Sequence, residues 1–263
     1  MSYIQGNKEA WEEAFEHRHP SWGDDVYRRL LDERLPFFCP DVVAELEKID
    51  FKGKKIAQFC CNNGREILSL LQLGAESATG FDIAENILDQ AADTAKKANI
   101  NNCEFVACNI LDIPQKYHSS FDFIIFTIGA ITWFEDLNLL FKKVSDCLAP
   151  NGILFIHDFH PFINMLPLPG EPEFDGNDLN RIEHSYFRKE PWIENEGMSY
   201  MSETYASRTF TSFTHKTSDI INAASVSGLS VTMFNEYDYD VGLTSVYNKM
   251  GFPLSFIFTA EKR

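Results

Sequence analysis

No apolar run in this 263-residue chain approaches the ~20 residues needed to cross a bilayer, which excludes a membrane span. The stretch Met1-Ser2-Tyr3-Ile4-Gln5-Gly6-Asn7-Lys8 lacks the apolar core of a signal peptide, so a cytoplasmic location is expected. Positive charge is scarce: 23 Lys and Arg face 39 Asp and Glu, and the net charge of −16 is spread along the chain. Without a basic stripe, a polyanion meets repulsion nearly everywhere, which argues against nucleic acid as a substrate. The six cysteines, Cys39, Cys60, Cys61, Cys103, Cys108 and Cys147, form no C-x-x-C pair, and none has a histidine at ligand spacing, so no metal is expected. A vicinal disulfide between Cys60 and Cys61 is conceivable, but reduced thiols used as small residues are the simpler reading. Repeats, low-complexity tracts and a complete G-x-G-x-x-G are also missing.

What is present suffices for a folded core. Hydrophobic content of 44% with 24% charged residues describes a globular chain long enough for one domain with a substantial insertion. Residues 1–50 read as an amphipathic helical cap, with Trp11, Phe15, Trp22, Tyr27, Leu30 and Leu31 at loosely helical spacing and Pro20, Pro36 and Pro40 as punctuation. Residues 51–263 form the main domain. Strands are expected at 55–60, 77–82, 103–107, 121–127 and 152–158, and helices at 64–73, 84–98 and 136–148. This alternation implies an α/β fold, a doubly wound and mostly parallel sheet. Residues 162–208, rich in Pro, Gly, Glu, Tyr and Trp, break the rhythm and read as an inserted lid. After a capped helix opening at Thr217, runs 229–234 and 254–260 are too close for another crossover and predict an antiparallel terminal hairpin.

The segment Lys54-Lys55-Ile56-Ala57-Gln58-Phe59-Cys60-Cys61-Asn62-Asn63-Gly64-Arg65-Glu66 carries an apolar run into a tight turn of small residues and onto a helix. Eighteen positions after Gly64, Asp82 ends the next apolar run in Gly80-Phe81-Asp82-Ile83. In an open α/β sheet, such a turn admits an adenosine-containing cofactor and such an acid takes its ribose hydroxyls.

Together with Phe105–Pro114, Phe121–Ile125 and the Leu148-Ala149-Pro150-Asn151-Gly152 turn, these landmarks resemble, in order, the class I S-adenosylmethionine-dependent methyltransferases. That family places a Rossmann-like sheet with an antiparallel last strand behind a helical cap. The chain departs from the family where Gln58 replaces an acid, Cys60 and Asn62 replace glycines, and Asn109 replaces an aspartate; Gly64 alone remains of the glycine signature. Asparagine tolerates left-handed backbone better than most residues, and its amide can accept as a carboxylate does.

The resemblance implies that Phe59, Cys60, Cys61, Asn62 and Gly64 approach the methionine part of the cofactor, with Arg65 pairing its carboxylate. It places Asp82 on the ribose, Ile83 and Ile110 against adenine, Asn109 at the adenine edge, and Thr127, Ile128 and Gly129 beneath the cofactor. His160, at the end of the fifth strand, is the first candidate for a base or substrate contact; a histidine fastening the following loop is the alternative. Trp11, Trp22, Tyr186, Trp192, Tyr200 and Tyr205 are candidates to wall an acceptor pocket, as is His215, although packing of the lid on the cap would equally account for the aromatics.

The reading is therefore a methyltransferase acting on a small organic acceptor by in-line displacement, with cap and lid closing over the crevice. Two alternatives stand beside it. One is a protein that binds S-adenosylmethionine or S-adenosylhomocysteine without transfer; the other is a nicotinamide-dependent oxidoreductase. Oligomeric state is not legible.

Overall fold

A computed structural model describes residues 2–263. Three helices come first: α1 (Tyr3–His17), α2 (Val26–Asp32) and α3 (Pro40–Leu46). Ser2 caps α1 by accepting from the Gln5 N–H, and Pro40 occupies the first turn of α3, where a missing N–H costs nothing. Then β1 (Lys55–Phe59), α4 (Arg65–Leu70), β2 (Ser77–Asp82), α5 (Glu85–Lys97), β3 (Cys103–Ala107), β4 (Phe121–Phe126), α6 (Leu137–Cys147) and β5 (Leu148–Phe159) alternate as expected. Short strands β6 (Trp192–Glu194) and β7 (Phe210–Ser212) lie in the excursion that follows, before α7 (Thr217–Val226), β8 (Leu229–Tyr237) and β9 (Ser255–Lys262).

The seven-stranded sheet has the order β3-β2-β1-β4-β5-β9-β8. Strands β1 to β5 pair in parallel, and β9 runs antiparallel to both β5 and β8. The terminal hairpin thus puts the last strand inside the sheet and β8 at the edge. The strand order reverses between β1 and β4, and this is where the carboxyl ends of an open sheet part to leave a crevice.

Alternation along the strands sorts the core into two layers. Ile56, Phe123, Ile125, Phe155 and Ile257 pack on Val42 and Leu46 of α3 and Ile67 and Leu70 of α4. Ile124, Phe126, Leu154, Ile156, Phe256 and Phe258 pack on α6 and α7. Because both faces are covered, the central strands are apolar nearly throughout. Each fully buried Phe or Ile contributes roughly 1.5–3 kcal/mol.

Four features differ from the sequence reading. The fifth strand begins at Leu148, not 152; Leu148 pairs with Phe121 before the register shifts at Phe123, so the Pro150-Asn151-Gly152 turn lies within the strand's irregular start. The helical lead-in is not a single cap. The Val42/Leu46 stripe docks α3 into the sheet core, α2 packs on α4 and α5, and α1 with the segment that follows it reaches the excursion. The irregular segment also extends past 208, since β7 pairs with β6 in a two-stranded sheet of its own. Finally, the connection from β8 to β9 is more than a turn: Tyr247 and Leu254 pack on Ile163 and Leu166, and Tyr247 Oη donates to the Pro167 carbonyl at 2.5 Å.

Candidate cofactor and active site

Beyond Phe59 the chain turns through left-handed conformations at Cys60 (φ 57°), Asn62 (φ 50°) and Gly64 (φ 73°). Only Gly64 is forced to be glycine. A Cβ there would lie 2.7 Å from the Phe105 ring and 3.0 Å from Ala91 Cβ. Left-handed backbone costs a non-glycine residue roughly 1–2 kcal/mol, and positions 60 and 62 accept it. Gln58 replaces the family's acid and is buried at 1% exposure. Its Nε2 donates to Thr127 Oγ1 at 2.9 Å, and its Oε1 accepts from the Ile67 N–H at 3.0 Å. One neutral side chain thereby joins the ends of β1 and β4 to the first turn of α4.

Asp82 lies at the end of β2. Its Oδ2 accepts from the Asn62 N–H at 2.8 Å and its Oδ1 from the Ala84 N–H at 3.1 Å. Burial pushes its carboxyl above the usual range, against the pull of these backbone donors. Among the described residues it forms no ion pair, and part of its surface stays accessible. Phe59 contributes backbone only, since its ring is packed edge-on against Phe81 and Phe126. Cys60 and Cys61 are free thiols whose pKa values burial raises, so they remain neutral. Arg65 Nε donates to Glu66 Oε1 at 2.7 Å, and the Arg65 side chain is 42% exposed.

Of the two residues expected against adenine, Ile83 is half-buried and Ile110 buried. Asn109 is engaged within its own loop. Its Oδ1 accepts from the Leu111 N–H at 3.2 Å and its Nδ2 donates to Asp112 Oδ2 at 2.8 Å, so the amide caps its own loop. At the end of β4, Ile128 is 37% exposed and Gly129 adopts φ 79°. The loop from 129 to 131 is fastened by Asp158, whose Oδ1 accepts from Gly129 at 2.6 Å and Phe159 at 2.8 Å. Burial pushes the Asp158 carboxyl up to about 7.

The remaining candidates separate. His160 has both ring nitrogens committed: Nδ1 accepts from the Phe162 N–H at 3.1 Å, and Nε2 lies 2.9 Å from Glu236 Oε1. It fastens the loop after β5 and has no ring nitrogen left for a base; burial also lowers its pKa. Tyr186 Oη donates to Thr217 Oγ1 at 3.1 Å and accepts from the Thr217 N–H at 2.9 Å, securing the start of α7. His215 Nε2 lies 2.9 Å from the Phe134 carbonyl and donates to it. Trp192 packs beneath the Arg188 guanidinium at 3.8 Å and against His184 at 4.8 Å. None of these four side chains contacts the turn or Asp82. Trp11 does lie at the crevice side, edge-on to Trp133 at 5.4 Å and to Phe210 at 5.5 Å, in a cluster that includes Ala84. Trp22 and Tyr200 meet at 6.4 Å, and Asn62 Nδ2 donates to Tyr200 Oη at 3.2 Å.

In the sequence Asp158 stood in the run His157-Asp158-Phe159-His160-Pro161 beside the favoured His160 without a role of its own, and Trp133 went unnoticed. A lone acid beside two histidines and a Trp in a loop carry no distinguishing spacing. Tyr200 was one of six aromatic candidates with nothing to single it out. Two open depressions, of about 370 Å³ and about 620 Å³, flank α5, and neither is lined by Asp82 or the turn. Among the described residues no cluster of His, Cys, Asp or Glu is arranged to hold a metal, and no helix is long and apolar enough to cross a membrane.

The strand order, the reversed β9, the turn and Asp82 together define a class I S-adenosylmethionine-dependent methyltransferase fold. The family model described as "Methyltransferase domain" matches residues 50–190, and the chain belongs to that family. It is 32% identical over 145 residues to the ribosomal protein L11 methyltransferase of Pseudomonas aeruginosa, a match covering 51% of this chain and 47% of that protein. The chain thus spans about half the length of this curated relative. The S-adenosylmethionine dependent methyltransferase of Mesorhizobium loti superimposes with a TM-score of 0.63 at 18% identity, covering 83% of this chain and 96% of the other. Geranyl diphosphate C-methyltransferase from Streptomyces coelicolor, solved with S-adenosyl-L-homocysteine, gives a TM-score of 0.63 at 12% identity, covering 100% and 98%.

Proposed function

We propose that the chain transfers the methyl group of S-adenosylmethionine to a small organic acceptor. The observation that carries this reading is Asp82: a half-buried aspartate at the end of β2, held by the Asn62 and Ala84 N–H groups beside the point where strand order reverses. The residues present fit the cofactor. Asp82 keeps acceptor capacity for ribose hydroxyls, the left-handed turn brings backbone close to that acid, and Arg65 keeps guanidinium donors for an amino-acid carboxylate.

Bound there, the cofactor supplies an electrophilic methyl group on a sulfonium. This chain's part is to hold and enclose. Asp82 orients the ribose, and Thr127, Ile128 and Gly129 form the floor, with Gly129 steadied by Asp158. Helix α1 and the β6–β7 excursion cover the crevice and exclude water. Trp11 and Trp133 line its acceptor side, while His160, Tyr186, Trp192 and His215 support the walls from outside. The acidic surface, with a net charge of −16, favours neutral or cationic acceptors.

The L11 methyltransferase likeness favours a second reading, a protein acceptor. Both are tested by titrating S-adenosylhomocysteine calorimetrically, then incubating the chain and methyl-labelled cofactor with amines, thiols, phenols, carboxylic acids and ribosomal protein L11. Label in a small acceptor supports the proposal. Label in L11 alone replaces it, and tight binding with no transfer to any acceptor points to a binding protein.

A further inference from the structure

We infer that Tyr200, a residue of the excursion, donates a hydrogen bond to the carboxylate at the amino-acid end of the bound cofactor and so couples the lid to cofactor binding. This rests on the methyltransferase reading and adds to it a binding residue 138 positions from the turn it serves.

The geometry has three parts. Tyr200 Oη accepts from Asn62 Nδ2 at 3.2 Å, which places the phenol over the left-handed turn. Its own O–H meets no acceptor among the described residues, so one donor is left over. The ring is 53% exposed although the next residue, Met201, is 2% exposed in the cluster of Ala10, Ala14, Ala84 and Ile87. The chain is fixed there because the Met201 carbonyl also accepts from the His19 N–H at 2.8 Å.

The electrostatic surroundings agree. Burial raises the Tyr200 pKa, with Asp82 and Glu66 adding to the rise and Arg65 and the Asn62 amide opposing it. The hydroxyl therefore stays protonated at neutral pH, and it stands among the groups expected to surround the cofactor's amino-acid end. An O–H donor next to the free donors of Arg65 suits a carboxylate, whose two oxygens accept from both. Such a contact would draw together the turn, the excursion and Trp22 of the N-terminal region, whose ring lies 6.4 Å from Tyr200.

The test is a two-by-two comparison of wild type and Tyr200→Phe, each titrated with S-adenosylhomocysteine and with its decarboxylated analogue S-adenosyl-3-thiopropylamine. The expected result is that Tyr200→Phe weakens S-adenosylhomocysteine roughly tenfold and leaves the analogue unchanged, with an unaltered melting temperature. Equal weakening of both ligands, or of neither, overturns the inference. If wild type binds neither nucleoside, the methyltransferase reading itself fails, a result distinct from a silent Tyr200→Phe.

Discussion

Asn7 and Thr211 exchange two hydrogen bonds: Asn7 Nδ2 donates to the Thr211 carbonyl at 2.8 Å, and the Thr211 N–H donates to Asn7 Oδ1 at 2.7 Å. A side chain of α1 thus continues the ladder beyond β7, at 5% exposure. Tyr3 edge-on to Phe213 at 5.0 Å, and Arg208 with Glu9, extend the same seam. Asn7→Ala leaves two half-buried backbone groups of Thr211 without these partners, an expected loss of roughly 1–3 kcal/mol. Denaturant unfolding should show that loss, and amide exchange should quicken across 192–212 ahead of the sheet.

Neighbours on β5 respond to pH in opposite directions. Burial holds the His157 imidazole down at about 4, so the stability it contributes is present above the ordinary histidine range and is lost as pH falls. Asp158 is the reverse. With its carboxyl pushed up to about 7, the stabilising proton is retained in acid and lost as pH rises through that value. Over pH 4 to 6.5 the two effects oppose each other. Asp158→Asn removes one, so relative to wild type it should gain roughly 2 kcal/mol between pH 5.5 and 7, at about 1.4 kcal/mol per pH unit. Urea titrations at those two pH values check it; parallel curves for variant and wild type would rule it out.

Much of this was legible beforehand, for identifiable reasons. Strands such as Phe121–Phe126 are apolar on both faces because α3 and α4 cover one side and α6 and α7 the other, so a short continuous run marks them. The position of Asp82 was legible because a single acid closes the apolar run that becomes β2, just after the small-residue turn. The walls were not. Asn109 and His160 carry side chains suited to ligands, yet each satisfies backbone groups within two residues of itself, a local competition that residue type does not reveal. Likewise Asn7 and Tyr200 act across some two hundred and 138 positions, pairings that only the folded excursion brings about.

His160 yields a direct contrast between roles. His160→Gln removes the acceptor for the Phe162 N–H and the contact with Glu236, so a stability loss of roughly 1–3 kcal/mol is expected. Turnover measured well below the variant's melting point should stay within a few-fold of wild type, with an unchanged pH profile. A kcat collapse with the fold intact would return the histidine to the chemistry.

For Asp82→Ala, the ribose loses its acceptor and the Asn62 and Ala84 N–H groups lose theirs. Affinity for S-adenosylhomocysteine should fall by roughly 1.5–3 kcal/mol, the scale of hydrogen bonds to a charged group. Calorimetry on the folded variant measures this. Unaltered affinity would remove the sugar from Asp82.

Gly64→Ala separates the turn's two demands. The variant must hold an alanine at φ 73°, which costs roughly 1–2 kcal/mol, and its methyl must displace the Phe105 ring, 2.7 Å away, or the Ala91 Cβ of α5. Asn62→Gly, at φ 50°, relieves the first demand and meets no second one, but it deletes the amide that reaches Tyr200. The two variants should therefore diverge. Gly64→Ala should lower stability by roughly 2–4 kcal/mol, combining backbone strain with overpacking, and weaken cofactor binding as α4 shifts. Asn62→Gly should unfold near the wild-type midpoint yet bind S-adenosylhomocysteine more weakly. Paired melting curves and titrations decide it, and a Gly64→Ala protein as stable as wild type would show that Phe105 gives way freely and that space does not fix the glycine.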